Sequence, residues 1–403
     1  EIPKVINNLN NSYLYLQGPP GSGKTYQAAN AILELIKRNK KIAITANSHK
    51  VIHNLLERIE GLAKNKKHTF KGLKMGNVEN EDTFFDGKFV KTEKNEKHFI
   101  NQLKDDKTLL YAGTKYHLSQ KFYQNKLDYL FVDEASQISV ADLVALGGIA
   151  KNIILVGDNA QLSQPVKGNH PGESGKSVLD YLLQGKDTIL DSHGVFLKKT
   201  YRLHPNLNDF ISENFYENRL LINEKNINRK IDYKKSSIIQ SEGIHTILMK
   251  HEDRSQTSLE EFEIVKKLMD QLIGSKFRDF DNSERKISVN DILIVSPFNA
   301  QVNFLKSRLH KDTKIGTIDK FQGMEAPITI ISMTSSSVED LPRNKKFFFN
   351  RNRLNVAISR AQCSSIILMN PKLLEAPPSD YEEFKLLNYF QKLMKFERKI
   401  DIN

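Results

Sequence analysis

Between Tyr13 and Arg38 the chain passes from a short β-type run, through Gly18-Pro19-Pro20-Gly21-Ser22-Gly23-Lys24-Thr25, into an amphipathic helical pattern. A strand, a glycine-rich turn and a helix in that order leave few folds open. The glycines let backbone N–H groups turn inward at a helix N-terminus, where they can cradle phosphate oxygens. Lys24 is placed to reach the β- and γ-phosphates of ATP, and the Thr25 hydroxyl to ligate Mg2+. All eight residues from Gly18 to Thr25 are therefore candidate nucleotide contacts, and the loop calls for a parallel sheet with crossover helices.

The remaining pattern agrees with an α/β chain. Strands are expected at Tyr13–Gln17, Ile42–Ala46, Tyr129–Val132 and Ile153–Val156, and Ala29, Ile32, Leu33 and Ile36 give Tyr26–Arg38 one apolar face. A second series begins near Val195, with strands expected at Thr246–Met249, Ile292–Ser296, Ile315–Thr317, Ile328–Met333 and Ser365–Met369. Two series imply two tandem lobes with parallel sheets. Lobe one takes residues 1–194, with a polar insertion at about 61–107 expected to be small and helical. Lobe two takes 195–375, and 376–403 reads as a helical tail. Asn223–Ser237 and Gly274–Ser288 are rich in Lys, Asn, Arg and Ser and read as surface loops or insertions.

Sixty Lys and Arg against 48 Asp and Glu leave a net charge of +12, which suits a polyanionic partner and equally a surface of solvating Lys on an Asn- and Lys-rich chain. The single cysteine, Cys363, excludes an internal disulfide framework and suits a reducing, cytoplasmic setting. No apolar run approaches the ~18 residues that span a bilayer, and Glu1–Asn11 has neither part of an export signal.

The run Leu130-Phe131-Val132 ends in Asp133 and Glu134. Adjacent carboxylates at a strand tip are costly without cationic partners. Behind a phosphate loop they acquire roles: Asp133 as a Mg2+ ligand, Glu134 as the group that positions or activates the attacking water.

Asp133-Glu134-Ala135-Ser136 resembles motif II of superfamily-one helicases related to the nonsense-mediated-decay helicase. It is similar also to the helicase half of bacterial proteins that fuse a RecB-like nuclease to such a motor. Further segments carry the resemblance: Gly157-Asp158-Asn159-Ala160-Gln161-Leu162, Thr200-Tyr201-Arg202-Leu203-His204-Pro205, Gly316 to Glu325, and Asn352 to Ala361. It spans Gln17 to about Pro371 and implies two RecA-like lobes that hydrolyse ATP between them. It also implies that Gln161 senses the γ-phosphate or attacking water, that Arg202 contacts the γ-phosphate, and that Tyr201 lies against adenine. Gly323 and Glu325 approach the nucleotide, and Arg360 is the arginine finger, a role suited to its planar, permanently charged fork. Arg353 lies in the same segment, with a structural role equally open. Asn47, Ser48, Thr114, Pro297, Asn299, Thr317 and Gln322 match positions that grip the backbone of single-stranded nucleic acid.

The resemblance further implies a monomeric, cytoplasmic motor moving 5′ to 3′, with DNA favoured over RNA and a nuclease domain in the full-length chain. Two departures stand out. The family's adenine-reading glutamine lies upstream of the phosphate loop, yet none of Glu1 to Ser12 is Gln, so the sequence is expected to be a fragment. Gln362 stands where relatives usually carry a second arginine. A regulatory ATP-binding module that does not unwind is the competing function class; an intact loop, Glu134 and both arginines weigh against it.

Overall fold

Apolar runs too short to make helices become the buried strands of two parallel sheets. The computed structural model describes residues 1–164, 168, 170–234, 237–342, 345–375 and 377–398. Two compact units divide the chain: Glu1–Asn159 with Ser163–Leu197, and Ala160–Leu162 with Lys198–Asn403.

The first unit holds strands β1 (Tyr13–Gln17), β2 (Ile42–Thr45), β3 (Lys71–Met75), β4 (Val90–Glu93), β5 (Thr108–Ala112), β6 (Leu127–Val132), β7 (Ala150–Gly157) and β8 (Gly194–Phe196). Their order is β4-β3-β5-β2-β6-β7-β1-β8 and every pairing is parallel. Its helices are α1 (Ile2–Asn7), α2 (Lys24–Ile36), α3 (His49–Asn65), α4 (Glu96–Asn101), α5 (Lys115–Leu118), α6 (Val140–Gly147) and α7 (Val178–Leu183). The connection from β1 travels past β7 and β6 to β2, whereas that from β7 crosses to β8 on the far side of β1. Adjacent strands whose connections diverge open a crevice at their C-terminal ends, and the glycine-rich loop lies there. Helix α2 buries Ala28, Ala29, Ala31, Ile32, Leu33, Leu35 and Ile36, and most of these join Ile42, Ile44, Phe131, Ile154 and Val156 in one core.

Segment 61–107 corrects the expectation of a helical insertion. Its strands β3 and β4 extend the main sheet in parallel, with α4 following them. Val195 likewise belongs to the first unit, as the middle of β8 beside β1.

The second unit contains β9 (Lys199–Thr200), β10 (Leu221–Ile222), β11 (Lys230–Ile231), β12 (Gly243–Leu248), β13 (Lys276–Arg278), β14 (Glu284–Lys286), β15 (Ile292–Val295), β16 (Lys314–Gly316), β17 (Ala326–Ser332), β18 (Ala361–Met369) and β19 (Glu397–Arg398). The main sheet runs β16-β15-β17-β18-β12-β19, all parallel. Helices α8 (Pro205–Phe215), α9 (Leu259–Leu272), α10 (Asn299–Lys306), α11 (Lys345–Phe348), α12 (Arg351–Ser359) and α13 (Tyr381–Gln391) complete it. The two basic segments read as loops instead meet in a small antiparallel sheet, β11-β13-β14. The tail is not wholly helical, because β19 adds an edge strand to β12. No helix among the described residues is long and apolar enough to cross a membrane.

Candidate nucleotide site and nucleic-acid interface

The phosphate loop grows directly out of β1. The Gly18 amide donates to the Gly157 carbonyl at 2.9 Å, one step beyond the β1–β7 pairing. A Cβ on Gly18 would lie 2.4 Å from the Cβ of Lys24, so only glycine fits. Gly21 and Gly23 have φ of 71° and 79°, the left-handed region that glycine enters without strain. Gly23 starts α2 with no side chain capping it, which suits an anion at the helix N-terminus.

Lys24 Nζ lies 3.0 Å from Glu134 Oε1, with both side chains largely buried. Burial disfavours the Lys24 charge, but the carboxylates of Glu134, Asp133 and Asp158 outweigh it and hold the pKa above the ordinary lysine value. Asp133 is buried at the tip of β6. Burial pushes its carboxyl up, helped by the Glu134 charge and opposed by Lys24 and by the Glu134 amide, which donates to Oδ1 at 2.9 Å. Glu134 has φ 49° and ψ 47°, a left-handed conformation that costs a non-glycine residue about 1–2 kcal/mol. Among the described residues its Oε2 is buried without a hydrogen-bond partner, as is Ser22 Oγ. Unpartnered buried oxygens are normally rare. Beside a cradle that only glycine can line, they fit a nucleotide's phosphates and a hydrated Mg2+, which Thr25 and Asp133 would hold.

Gln17 braces this end of the unit. Its Nε2 donates to Asn159 Oδ1 at 2.7 Å and to the Asp187 carbonyl at 2.9 Å, while Oε1 accepts from the Ile189 amide at 2.7 Å. The loop after β7 is thereby tied to the strand that carries the phosphate loop.

In the second unit the arginine-bearing segments converge. Arg202 Nε donates to Glu325 Oε2 at 2.5 Å and Nη1 to the Ser359 carbonyl at 3.1 Å. Burial would raise the Glu325 carboxyl, but Arg202 and Gln362 hold it below the usual carboxylate value. Arg360 is buried, donating to the carbonyls of Val356 at 3.3 Å and Met324 at 3.2 Å, and to Gln161 Oε1 at 3.4 Å. Gln161 belongs to the short piece Ala160–Leu162 that groups with this unit. The Gln161 carbonyl accepts from Asn352 Nδ2 at 2.7 Å, and Asn355 Nδ2 holds the Ala160 carbonyl at 2.8 Å. Gly323, at φ 81°, makes the turn that precedes Met324, and Tyr201 is 56% exposed, leaving its ring free to meet a flat partner.

One residue of this cluster carried no motif. Arg229, almost fully buried, donates to the carbonyls of Tyr201 and Arg202 and pairs with Asp279 at 2.8 Å. Nothing in the basic segment around it marks Arg229 out, since its partners lie 27 to 50 residues away. Arg353 has a structural explanation: it pairs with Asp319 at 3.1 Å and lies over the Phe347 ring.

The residues expected to grip nucleic acid all follow C-terminal ends of parallel strands within their own unit. Asn47 and Ser48 follow β2, both exposed, and Ser48 Oγ caps α3 by accepting from the Val51 amide at 3.3 Å. Thr114 follows β5. In the second unit Pro297 and Asn299 follow β15, Asn299 being exposed, while Thr317 and Gln322 flank the short turn after β16.

A family model described as an AAA domain matches residues 3–166, and a second of the same description matches residues 175–372. Similar proteins include the DNA replication ATP-dependent helicase/nuclease dna2 of Schizosaccharomyces pombe, 26% identical over 88% of this chain and 26% of its own length. A putative helicase mov-10-B.1 of Danio rerio is 28% identical over 89% of this chain and 39% of its own. A regulator of nonsense transcripts 1 homolog of Arabidopsis thaliana is 24% identical over 95% of this chain and 34% of its own. The chain belongs to the superfamily-one helicases, in the regulator-of-nonsense-transcripts-like group.

As a superfamily-one chain it is built of two RecA-like lobes, each with its parallel sheet. It spans between about a quarter and two fifths of the length of these relatives. Gln362 donates from Nε2 to Glu325 Oε1 at 2.9 Å.

Proposed function

We propose that this chain is an ATP-hydrolysing motor that moves on single-stranded nucleic acid. The observation that carries the reading is the Lys24–Glu134 pair at 3.0 Å, set beside Asp133 at the mouth of a glycine-only phosphate cradle. Lys24 gives its charge to the β- and γ-phosphates, and Glu134, released from Lys24, orients the attacking water and takes its proton. Thr25 and Asp133 would hold Mg2+, which would supply positive charge against the phosphates. Arg202 and Arg360 supply positive charge to the transition state, where one arginine is worth roughly 10³–10⁵ in turnover. Gln161, bonded to Arg360, reports the γ-phosphate to the second lobe, and Tyr201 stacks on the adenine.

Asn47, Ser48, Thr114, Pro297, Asn299, Thr317 and Gln322 contact phosphate and sugar and leave base edges unread, as a translocating motor requires. The +12 net charge supports the polyanionic track. DNA is the favoured substrate, with 5′ to 3′ movement by a cytoplasmic monomer, and a nuclease belongs to the full-length protein; family likeness supports these finer points. The test is ATP turnover with and without matched single-stranded DNA and RNA at fixed salt, beside a strand-displacement assay. Stimulation by single strands, abolished in Lys24→Ala, is the expected result. Unstimulated turnover, or hydrolysis intact in Lys24→Ala, refutes the motor.

A further inference from the structure

Tyr116 stands two residues beyond Thr114, in the short helix α5, and is 75% exposed. Strand β5 lies beside β2 with Ala112 opposite Ile44, and the Gly113 amide donates to the Ile44 carbonyl at 3.1 Å. Tyr116 therefore belongs to the same strand-end edge as Asn47, Ser48 and Thr114. A singly exposed aromatic needs no explanation by itself. This one is braced: Lys115 Nζ lies 5.3 Å from its ring centroid. That ammonium is nearly buried and fixed by Asp142 Oδ2 at 2.6 Å, and Asp142 is itself held in a capping box with Ser139. The Tyr116 hydroxyl makes no hydrogen bond among the described residues. A ring oriented by a cation and otherwise open to solvent is pre-organised to receive a second flat group.

We propose that Tyr116 is a base-stacking platform, its open face taking one nucleobase of the single strand whose backbone passes Asn47, Ser48 and Thr114. The inference rests on the motor reading above and adds a base contact to one that otherwise holds only backbone. Stacking uses the π-face that every base has, so the contact is indifferent to sequence and to the 2′-hydroxyl. DNA and RNA strands gain from it alike.

The chain contains no tryptophan, so Tyr116→Trp installs a single indole whose emission can be excited apart from the tyrosines. A base-bearing oligonucleotide of about 15 residues quenches that emission, whereas an abasic oligonucleotide of equal length does not. In parallel, Tyr116→Ala binds the base-bearing strand about 5- to 150-fold more weakly, Tyr116→Phe binds it as wild type does, and all three bind the abasic strand equally. Equal affinity of Tyr116→Ala and wild type for the base-bearing strand overturns the platform, as does equal weakening on the abasic strand. A wild-type chain that binds neither strand overturns the motor reading along with it.

Discussion

Lys24 and Glu134 form a largely buried ion pair at 3.0 Å, and the second Glu134 oxygen has no hydrogen-bond partner among the described residues. On the proposed function, a nucleotide's phosphates would compete for the same lysine and free the carboxylate when a water must be deprotonated. Glu134→Gln keeps the shape and removes the base. Turnover should fall roughly 10²–10⁴-fold while ATP affinity stays level or rises, measured by single-turnover hydrolysis and equilibrium titration. Parallel loss of affinity and rate assigns Glu134 to binding instead.

Arg360→Lys retains a cation but not the fork that reaches the Val356 and Met324 carbonyls and Gln161 together. We expect stimulated turnover to drop at least ~10²-fold with little change in ATP affinity. Thermal melting checks that the fold survives, and near-normal turnover removes Arg360 from the transition state.

Arg229→Met leaves the Tyr201 and Arg202 carbonyls without their donor and Asp279 without its cation. Breaking such a largely buried pair should cost about 2–4 kcal/mol. Urea unfolding should show a lower midpoint at unchanged slope. ATP affinity should weaken as well, because the backbone of Tyr201 and Arg202 loses its anchor. Unchanged stability contradicts the assignment.

Burial first, and then the nearby charges of Lys74 and His49, push His53 from 6.5 down to about 4. A depressed folded-state pKa gives stability that is fully present above pH 6.5 and lost as pH falls through 4, because the unfolded chain takes the proton first. His53→Phe should therefore flatten the fall in melting temperature between pH 7 and pH 4.5. A variant that follows wild type across that range excludes His53 from the acid response.

The candidate segments stand out in the sequence because each proposed role demands particular residue types at fixed local spacing. A phosphate cradle needs its glycines and Lys24 within eight residues, and a strand tip with two carboxylates shows itself in Val132-Asp133-Glu134. The small helical insertion was misread for an equally physical reason. Strand β3 reads Lys-Gly-Leu-Lys-Met and has no apolar run to announce it. It is a strand because β5 and β4 supply hydrogen-bond partners on both edges, and Lys74 is buried there despite its charge. The basic segments of the second unit likewise became strands only by pairing with each other.

Local order in the chain was enough for the α/β class and for the glycine-rich loop between strand and helix, since backbone conformation and spacing within a few residues govern both. Only the folded chain grouped Gln161 with Arg360 rather than with the lobe whose strand it follows. It alone put Arg229 behind Arg202, gave Gln362 to Glu325, and braced Tyr116 with Lys115. Those relationships join residues that are distant in sequence, or depend on which way neighbouring side chains face. They are decided by strand register and packing, and a linear chain carries no signal for either.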